Sequence, residues 1–328
     1  MSSTESVILS VPATTANLGP GFDCIGAALA LYNRFKFSHL DADLPADRSL
    51  FVSVKGLEAD RVSTDATNLV YKSFVKLYDY IGEAPPPLHL EIELGVPLAR
   101  GLGSSATAIA GGLMGANYLA GLPLPQQEVI RLAIAMEKHP DNVVPALLGG
   151  CRLAAQDCRN GKNSLSPHWE ICEIPWHPEV VPVVAIPDFE LSTEKARNVL
   201  PQHYTRADAI FNTAHLGLLL RGLETGNGKW LRVAMGDRIH QPYRQALIPG
   251  YQTVYEAALD AGAYGLAISG AGPTLLALSP AGKADTVAIA MQETWQECGV
   301  LAQAKAVTLD PHGTRCVASN SLHPKPLS

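Results

Sequence analysis

The sequence predicts an α+β chain folded as two domains. Three observations carry this. At 328 residues, 47% of them hydrophobic and 17% charged, the chain can hold two ordinary domains, each with a full core. Its clearest strand, Leu88-His89-Leu90-Glu91-Ile92-Glu93-Leu94, alternates apolar and polar residues, so its sheet has one wet face. A parallel sheet covered by helices on both sides would not alternate. Composition then shifts around Gly149–Asn163, with its glycines, Asn160-Gly161-Lys162-Asn163 and, just beyond, Pro167. Domains are therefore placed at residues 1–160 and 161–328.

The first half reads in order. Val7–Val11 is a short apolar run halted by Pro12, a strand entering a loop. In the loop Pro12–Asp23, two glycines and two prolines restrict the chain and set the Asn17 amide and the Asp23 carboxylate on one segment. Asn and Asp beside Gly are also ordinary turn formers. Cys24–Ala30 continues in small residues suited to burial. Arg34–Ser38 and Leu50–Val54 read as antiparallel strands around an acidic loop at 41–47. Thr67–Ile81 is an amphipathic helix: Val70, Phe74, Leu77, Tyr78 and Ile81 share a face, Thr67 is placed as N-cap and Gly82 closes it.

The stretch Pro97–Gly121 organises the rest. It has no acidic residue, and none appears until Glu128. Gly101 and Gly103 allow a close backbone approach, and Ser104, Ser105 and Thr107 bring hydroxyls to the start of a helix over Ser104–Ala120. A helix start offers unpaired N–H groups and the positive end of the macrodipole, so an anion, most simply a phosphate, is expected there. Gly101-x-Gly103-x-x-Ala106 also fits a dinucleotide fingerprint, but the strand before it alternates and the acid expected about 20 residues on is missing. A Walker loop needs a lysine, and none lies between Arg100 and Lys138. The uncharged run Gly101–Gln127 is long enough to span a membrane, but six glycines and two prolines argue against insertion.

A second helix starts near Pro125 and runs to about Lys138, where Pro140 forbids continuation. The polar cluster Glu137-Lys138-His139-Pro140-Asp141-Asn142 follows. Glu137 near the loop hydroxyls would suit magnesium, which takes a few oxygens plus substrate phosphates. Read alone, the cluster is a solvated helix end. Zinc is disfavoured, since His139 has no His or Cys at ligand spacing. Beyond the break, Trp169–Ile174 and Val180–Ile186 read as strands. Ser192–Arg197 opens a helix with Thr193 and Arg197 one turn apart. Tyr204–Arg221 and Tyr251–Ala261 are helices, and Asp237–Arg244 carries His240 and Arg244. A third glycine-rich loop, Ser269–Thr274, lies between strands Gly265–Ile268 and Thr274–Leu278. Asp285–Glu297 is a helix and Leu301–Val307 the last strand, before a loose tail from Pro311.

Bulk properties exclude several classes. A net charge of −6 and a pI near 5.9 argue against nucleic-acid binding. The N-terminus Met1–Ser6 has neither a basic nor an apolar region of a secretory signal. Six cysteines, with no C-x-x-C pair, read as reduced thiols of a cytoplasmic protein. No membrane association is expected, and the expected assembly is a homo-oligomer, most simply a dimer.

The loops Pro12–Asp23, Pro97–Thr107 and Ser269–Thr274, in this order and spacing, resemble the three motifs of the GHMP kinases, and the likeness covers nearly the whole chain. Within that superfamily, Pro-Ala-Thr-Thr-Ala-Asn-Leu-Gly-Pro-Gly-Phe-Asp at 12–23, Glu-x-His-Pro-Asp-Asn at 137–142 and the segments 192–197 and 242–250 resemble the homoserine-phosphorylating branch. The resemblance implies an N-terminal domain like the second domain of a small-subunit ribosomal protein and a ferredoxin-like C-terminal domain. It implies transfer of the ATP γ-phosphoryl group to L-homoserine, giving O-phospho-L-homoserine for threonine biosynthesis. ATP would lie on Pro97, Leu98, Ala99, Arg100, Gly101, Leu102, Gly103, Ser104, Ser105, Ala106 and Thr107, with Asn68 at its base or ribose end. Ser105 and Glu137 would hold Mg2+, and the choice between Ser104 and Ser105 stays open. L-homoserine would sit among Asn17, Asp23, His139, Thr193, Arg197 and Arg244.

Residue chemistry points the same way. An ammonium wants the Asp23 carboxylate, and a carboxylate wants the guanidinium of Arg197 or Arg244. Phosphoryl transfer needs positioning and charge neutralisation more than covalent help. Several GHMP kinases place an Asp base where this chain has Asn142. An amide removes no proton, so either no side chain acts as base or Asp23 substitutes, and catalytic roles fall to Asn142, Asp23 and Arg197. Lys138 stands where the resemblance implies a smaller residue. Two other readings remain: a kinase for mevalonate, shikimate or a sugar, which leaves Asp23 without an ammonium to bind, and a non-catalytic ATP sensor, which retention of Ser104, Ser105 and Glu137 disfavours.

Overall fold

The computed structural model describes residues 4–40, 49–157 and 168–321. The acidic loop expected at 41–47 lies outside them. A first, seven-stranded sheet contains β1 (Thr4–Ala16), β2 (Ile25–His39), β3 (Leu50–Gly56), β4 (Leu88–Leu94), β5 (Cys151–Asp157), β6 (His168–Ile174) and β11 (Arg315–Ser321). Its path is β11-β1-β2-β4-β3, with β5 and β6 branching from β2. The fork exists because β2 is 15 residues long: Arg34–His39 pairs with β4, while Ile25–Ala27 pairs with β5.

Several boundaries differ from the sequence expectation. Pro12 does not end β1; the strand runs through it with a register shift between Pro12 and Ala13, the kind of irregularity at which a sheet tolerates proline. Cys24–Ala30 and Arg34–Ser38 belong to one strand, apart from Cys24 itself. β2 and β3 do run antiparallel but never pair, because β4 lies between them, antiparallel to β2 and parallel to β3. The expected loose tail instead forms β11, antiparallel to β1. β5 pairs with β6 across residue 160, so first-sheet pairing continues to Ile174.

The alternation of β4 holds. Leu88, Leu90, Ile92 and Leu94 enter the core, while Glu91 and Glu93 on the other face pair with Lys36 and Lys55. Four helices cover the apolar face: α1 (Leu69–Ile81), α2 (Ser104–Leu119), α3 (Gln126–Glu137) and α4 (Pro140–Leu148). α1 is capped by Asn68, not Thr67; the Asn68 Oδ1 accepts from Val70 N–H at 2.9 Å and Tyr71 N–H at 3.3 Å. α2 is buried nearly all round because its small residues let neighbours close in. A Cβ on Gly111 would come within 2.5 Å of the Phe35 ring, and one on Gly112 within 2.6 Å of Ser73. α4 was not foreseen. Pro140 ends one helix and, at the first position of the next, starts another, where its missing N–H costs nothing. Lys138 closes α3 in the left-handed region at φ 74°, a conformation that glycine, lacking a Cβ, would hold without strain.

The second sheet contains β7 (Val180–Pro187), β8 (Gly265–Ile268), β9 (Leu275–Pro280) and β10 (Ala302–Ala306), ordered β10-β7-β9-β8 and antiparallel throughout. Counted within this sheet the order is 4-1-3-2, as the ferredoxin-like expectation requires. Its inner strands β7, β8 and β9 are largely apolar runs because both faces are covered, whereas the edge strand β10 alternates Ala with exposed Gln303 and Lys305. Val183, Ala185, Leu266, Ile268, Leu275 and Ala277 face α9 (Tyr251–Asp260) and α10 (Ala284–Glu297). The alternate residues Val180, Val184, Ala267, Leu276 and Leu278 join Leu219, Leu223 and Leu231 of α6 (Arg206–Thr225) and α7 (Gly228–Ala234). Short α5 (Thr193–Asn198) and α8 (Gln241–Arg244) reach the first domain's loop at Phe22 and Asp23.

Candidate active site

The three glycine-rich loops are laced together by backbone bonds. Thr14 N–H donates to Leu102 O (3.1 Å), Gly270 N–H to Ala16 O (3.1 Å) and Thr274 N–H to Arg100 O (3.1 Å). Ser269 Oγ lies 2.6 Å from Gly101 O and 2.9 Å from Thr15 Oγ1. Gly101 must be glycine here: its φ is 77° and any Cβ would strike Ser269 O.

At one end of the resulting cleft is the N-terminus of α2. Its N-cap is Gly103, φ 67°, which supplies no side-chain cap, and its first turn has no acidic residue. Its first N–H groups are therefore left for an anion. Ser105 Oγ donates to Glu137 Oε2 at 2.9 Å. Burial pushes the Glu137 carboxyl above its usual range, against the opposing pull of the Ser105 bond. Beside Gly103, Thr14 Oγ1 donates to Asn142 Oδ1 at 2.8 Å, and the Asn142 amide donates to Asp141 Oδ1 at 3.3 Å. Next to this helix start is a cavity of about 270 Å³, lined by apolar side chains including Phe35, Val62 and Leu98 and by polar ones including Ser63, Asn68 and Ser104.

At the other end, Asn17, Leu18 and Asp23 all hold positive φ, strain that has to be paid for by the surrounding bonds. Asn17 Oδ1 accepts from Asp23 N–H at 3.0 Å, and Asn17 Nδ2 donates to Gly270 O at 2.9 Å. Arg197 grips Asp23 in a fork, Nη2 to Oδ1 at 2.8 Å and Nη1 to Oδ2 at 3.1 Å. Its Nε is buried without a hydrogen-bond partner. His139 Nε2 lies 3.9 Å from Asp23 Oδ2, and burial lowers the pKa of its ring despite that neighbour. Arg244 is buried and donates through Nε to Ala196 O (3.0 Å) and through Nη1 to Gly270 O (2.9 Å). Burial, with the nearby Arg197 charge, lowers its pKa to about 10.

The expected residues divide accordingly. Asn17, Asp23, His139, Arg197 and Arg244 gather at one end, and Gly103, Ser104, Ser105, Glu137 and Asn142 at the other. Thr107 lines the cavity, but its hydroxyl donates to Ser104 O and accepts from Asn33 Nδ2, both at 2.8 Å. Asn68 borders the cavity with both ends of its amide engaged, since Nδ2 donates to Ser63 O. Arg100 stands apart: its guanidinium bonds Leu98 O, Pro187 O and Asp188 O and pairs with Glu58 and Glu190. Thr193 is exposed in the first turn of α5, where Ser192 provides the cap. Leu102 and Ala106 are buried supports.

Four contributors were not assigned from sequence. Thr14 positions Asn142. Phe22 lies under two cations, with Arg197 Cζ 5.6 Å and Arg244 Cζ 5.1 Å from its ring centroid. His240 stacks on the same ring at 5.2 Å. Asp141 is buried, and burial followed by the Asp23 charge pushes its carboxyl up to about 7. Only its place in the 137–142 cluster hinted at it.

Residues 68–150 match the GHMP kinases N terminal domain and residues 219–297 the GHMP kinases C terminal domain. The chain is 62% identical over 313 residues to the homoserine kinase of Trichormus variabilis, across 95% of this chain and 99% of that one. It is 63% identical over 313 residues to the homoserine kinase of Microchaete diplosiphon, across 95% and 98%. The crystal structure of homoserine kinase from Cytophaga hutchinsonii superposes with a TM-score of 0.83 at 28% identity, over 95% of this chain and 98% of that one. L. major mevalonate kinase, at 15% identity and a TM-score of 0.66 over 93% and 98%, shares the fold. Identity above 60% along nearly the full length of both chains, on a scaffold that interlaces the three expected loops, places this protein: it belongs to the homoserine kinase family of the GHMP kinases.

Proposed function

We propose that the protein transfers the γ-phosphoryl group of ATP to the side-chain hydroxyl of L-homoserine, giving O-phospho-L-homoserine for threonine biosynthesis. The observation that carries this reading is the Asp23–Arg197 fork with its unpartnered Arg197 Nε. An α-amino acid brings one ammonium and one carboxylate, and this pair offers one partner for each. Mevalonate, shikimate and sugars have no ammonium for Asp23.

ATP would place its base in the cavity beside Asn68 and its phosphates on the N-terminus of α2, where the helix dipole and free N–H groups favour negative charge. The residues present fit Mg2+. Ser105 and Glu137 are hard oxygen donors, Glu137 is desolvated with a single hydroxyl partner, and phosphates and water would complete the shell. Bound there, Mg2+ would neutralise phosphate charge. The acceptor hydroxyl attacks phosphorus as the bond to the bridging oxygen breaks, ADP leaves, and the hydroxyl proton passes to a phosphoryl oxygen. Asn142, oriented by Thr14, has a hydrogen-bonding amide where a base would stand, consistent with direct transfer. Arg197 adds positive charge beside the acceptor.

Among the described residues no helix is long and apolar enough to cross a membrane; the reading extends to a cytoplasmic homodimer, with the domains dividing between Ile174, where first-sheet pairing ends, and Val180, where the second sheet starts. Coupled ATP turnover across a panel of amino alcohols, hydroxy acids and sugars tests the function. Stimulation by L-homoserine is expected, and its absence would overturn the reading.

A further inference from the structure

His240 is wholly buried, lies outside every contact assigned to the phosphoryl donor, and touches both arms of the acceptor end. Its Nε2 is 2.8 Å from Gly19 O, in the first loop, and its Nδ1 is 3.4 Å from Arg244 Nη1. A carbonyl oxygen can only accept and a guanidinium can only donate. The two contacts therefore fix one tautomer: Nε2 carries the proton and Nδ1 offers its lone pair to Arg244. The ring face stacks on Phe22, and the Arg197 and Arg244 guanidiniums lie 5.6 and 5.1 Å from the centroid of that same Phe22 ring.

The frame around the ring is rigid. Asp237 accepts the N–H groups of Ile239, His240 and Gln241 at 2.7–3.0 Å and an amide hydrogen from Asn212, which also bonds Pro20 O. Gln241 bonds Ile268 N–H and Met235 O. Only the imidazole reads the Gly19 carbonyl and the Arg244 guanidinium together.

We propose that His240, as the neutral Nε2–H tautomer, is a positioning residue that locks Arg244 and the Asn17–Asp23 loop into one acceptor site. The inference rests on the assignment of that end of the cleft to the amino-acid acceptor. Protonation would break the lock, because a hydrogen on Nδ1 would point at a guanidinium that cannot accept it. The charged groups facing the ring act in both directions. Asp237, whose Oδ2 is 3.7 Å from Nε2, and Asp23 favour the cation, while Arg244 and burial oppose it. Burial is the largest influence and holds the pKa below the usual value for histidine.

Two variants separate the contacts. His240→Gln can place an amide N–H near the Nε2 position and keep the Gly19 bond, while losing the acceptor for Arg244. His240→Phe keeps the stacking on Phe22 and loses both bonds. For His240→Phe the KM for L-homoserine should rise about tenfold or more with the KM for ATP within about twofold, since two hydrogen bonds, one to a charged group, are removed. His240→Gln should fall between it and the wild type. In the wild type the homoserine KM should climb as pH falls below the usual histidine value, because burial holds the His240 pKa down; His139 at the same end also titrates there, so His240→Phe should lose only the part of the climb that His240 contributes. Nitrogen chemical shifts of wild-type His240 should report Nε2–H at neutral pH, a readout independent of turnover. Wild-type homoserine KM values in both variants, equal shifts in both KM values, or an Nδ1–H tautomer would each overturn the inference. Failure of the wild type to phosphorylate homoserine would instead overturn the acceptor assignment.

Discussion

Arg197 and Asp23 come from opposite domains and meet in a two-point fork, 2.8 and 3.1 Å. Planar, bidentate geometry is what lysine cannot reproduce. Arg197→Lys should therefore raise the homoserine KM by roughly 10- to 100-fold, the loss expected for one charge-assisted bond, with little change in the KM for ATP. Both side chains are about one-third exposed, so the melting temperature should hardly move. Steady-state kinetics with each substrate varied checks it; equal effects on both KM values would remove Arg197 from acceptor recognition.

Gly101 and Gly121 share a positive φ but differ in surroundings. A Cβ at Gly101 would run into Ser269 O and lie 2.9 Å from Gly272 O, whereas at Gly121 nothing lies within 4 Å. Gly121→Ala should cost only left-handed strain, about 1 kcal/mol. Gly101→Ala adds the separation of two loops, so its cost should reach about 2–4 kcal/mol with loss of ATP turnover. Denaturant unfolding of the two variants side by side tests whether contact or strain dominates.

These glycines show what the sequence could and could not disclose. Short-range rules found the loops, the amphipathic face of α1 and the one buried face of β4, because each depends on neighbours a few residues away. Long-range partners were invisible. Pro140 read correctly as a stop, but whether a new helix follows depends on the packing of Val143, Val144 and Leu147 into the core. Arg315–Ser321 has no strong strand pattern, and only β1 makes it a strand. Arg100 stands in the phosphate loop, yet Glu58 and Glu190 draw it away. His240 and Phe22 carry no local signal that they share a ring stack.

Asn68 illustrates a residue with a dual assignment. Its Oδ1 caps α1 and its Nδ2 ties back to Ser63 O, while the side chain borders the cavity. Asn68→Asp keeps the cap and loses the tie; Asn68→Ala loses both. Asn68→Ala should cost about 1–2 kcal/mol of stability, with Asn68→Asp less affected. If ATP affinity follows stability through both variants, the residue acts by holding the cavity wall. A fall in ATP affinity for Asn68→Asp with stability retained would show direct contact.

Asp141 should make stability depend on pH. Its carboxyl is pushed up to about 7 in the folded state, from 3.8 for the free group, chiefly by burial. Between those values the folded protein holds a proton that the unfolded chain releases, so stability falls as pH rises from about 4 to 7. A shift of this size corresponds to a loss on the order of 4 kcal/mol. Asp141→Asn has no proton to lose and should flatten that slope, becoming the more stable protein at pH 7. Urea midpoints at a series of pH values would show it; an unchanged slope would mean that Asp141 stays ionised.

Glu137 meets the loop hydroxyl of Ser105 at 2.9 Å, and the two should act as a unit toward the metal. Chelation of Mg2+ should abolish turnover. Glu137→Gln keeps the size and a hydrogen-bonding oxygen but removes the charge, so the Mg2+ concentration for half-maximal rate should rise about tenfold or more. Ser105→Ala removes the weaker, neutral ligand and should shift the requirement less. The double variant decides whether they share one ion: ligands of a common site are non-additive, so it should be little worse than Glu137→Gln alone. Full additivity would mean that Ser105 serves the phosphates and not the ion.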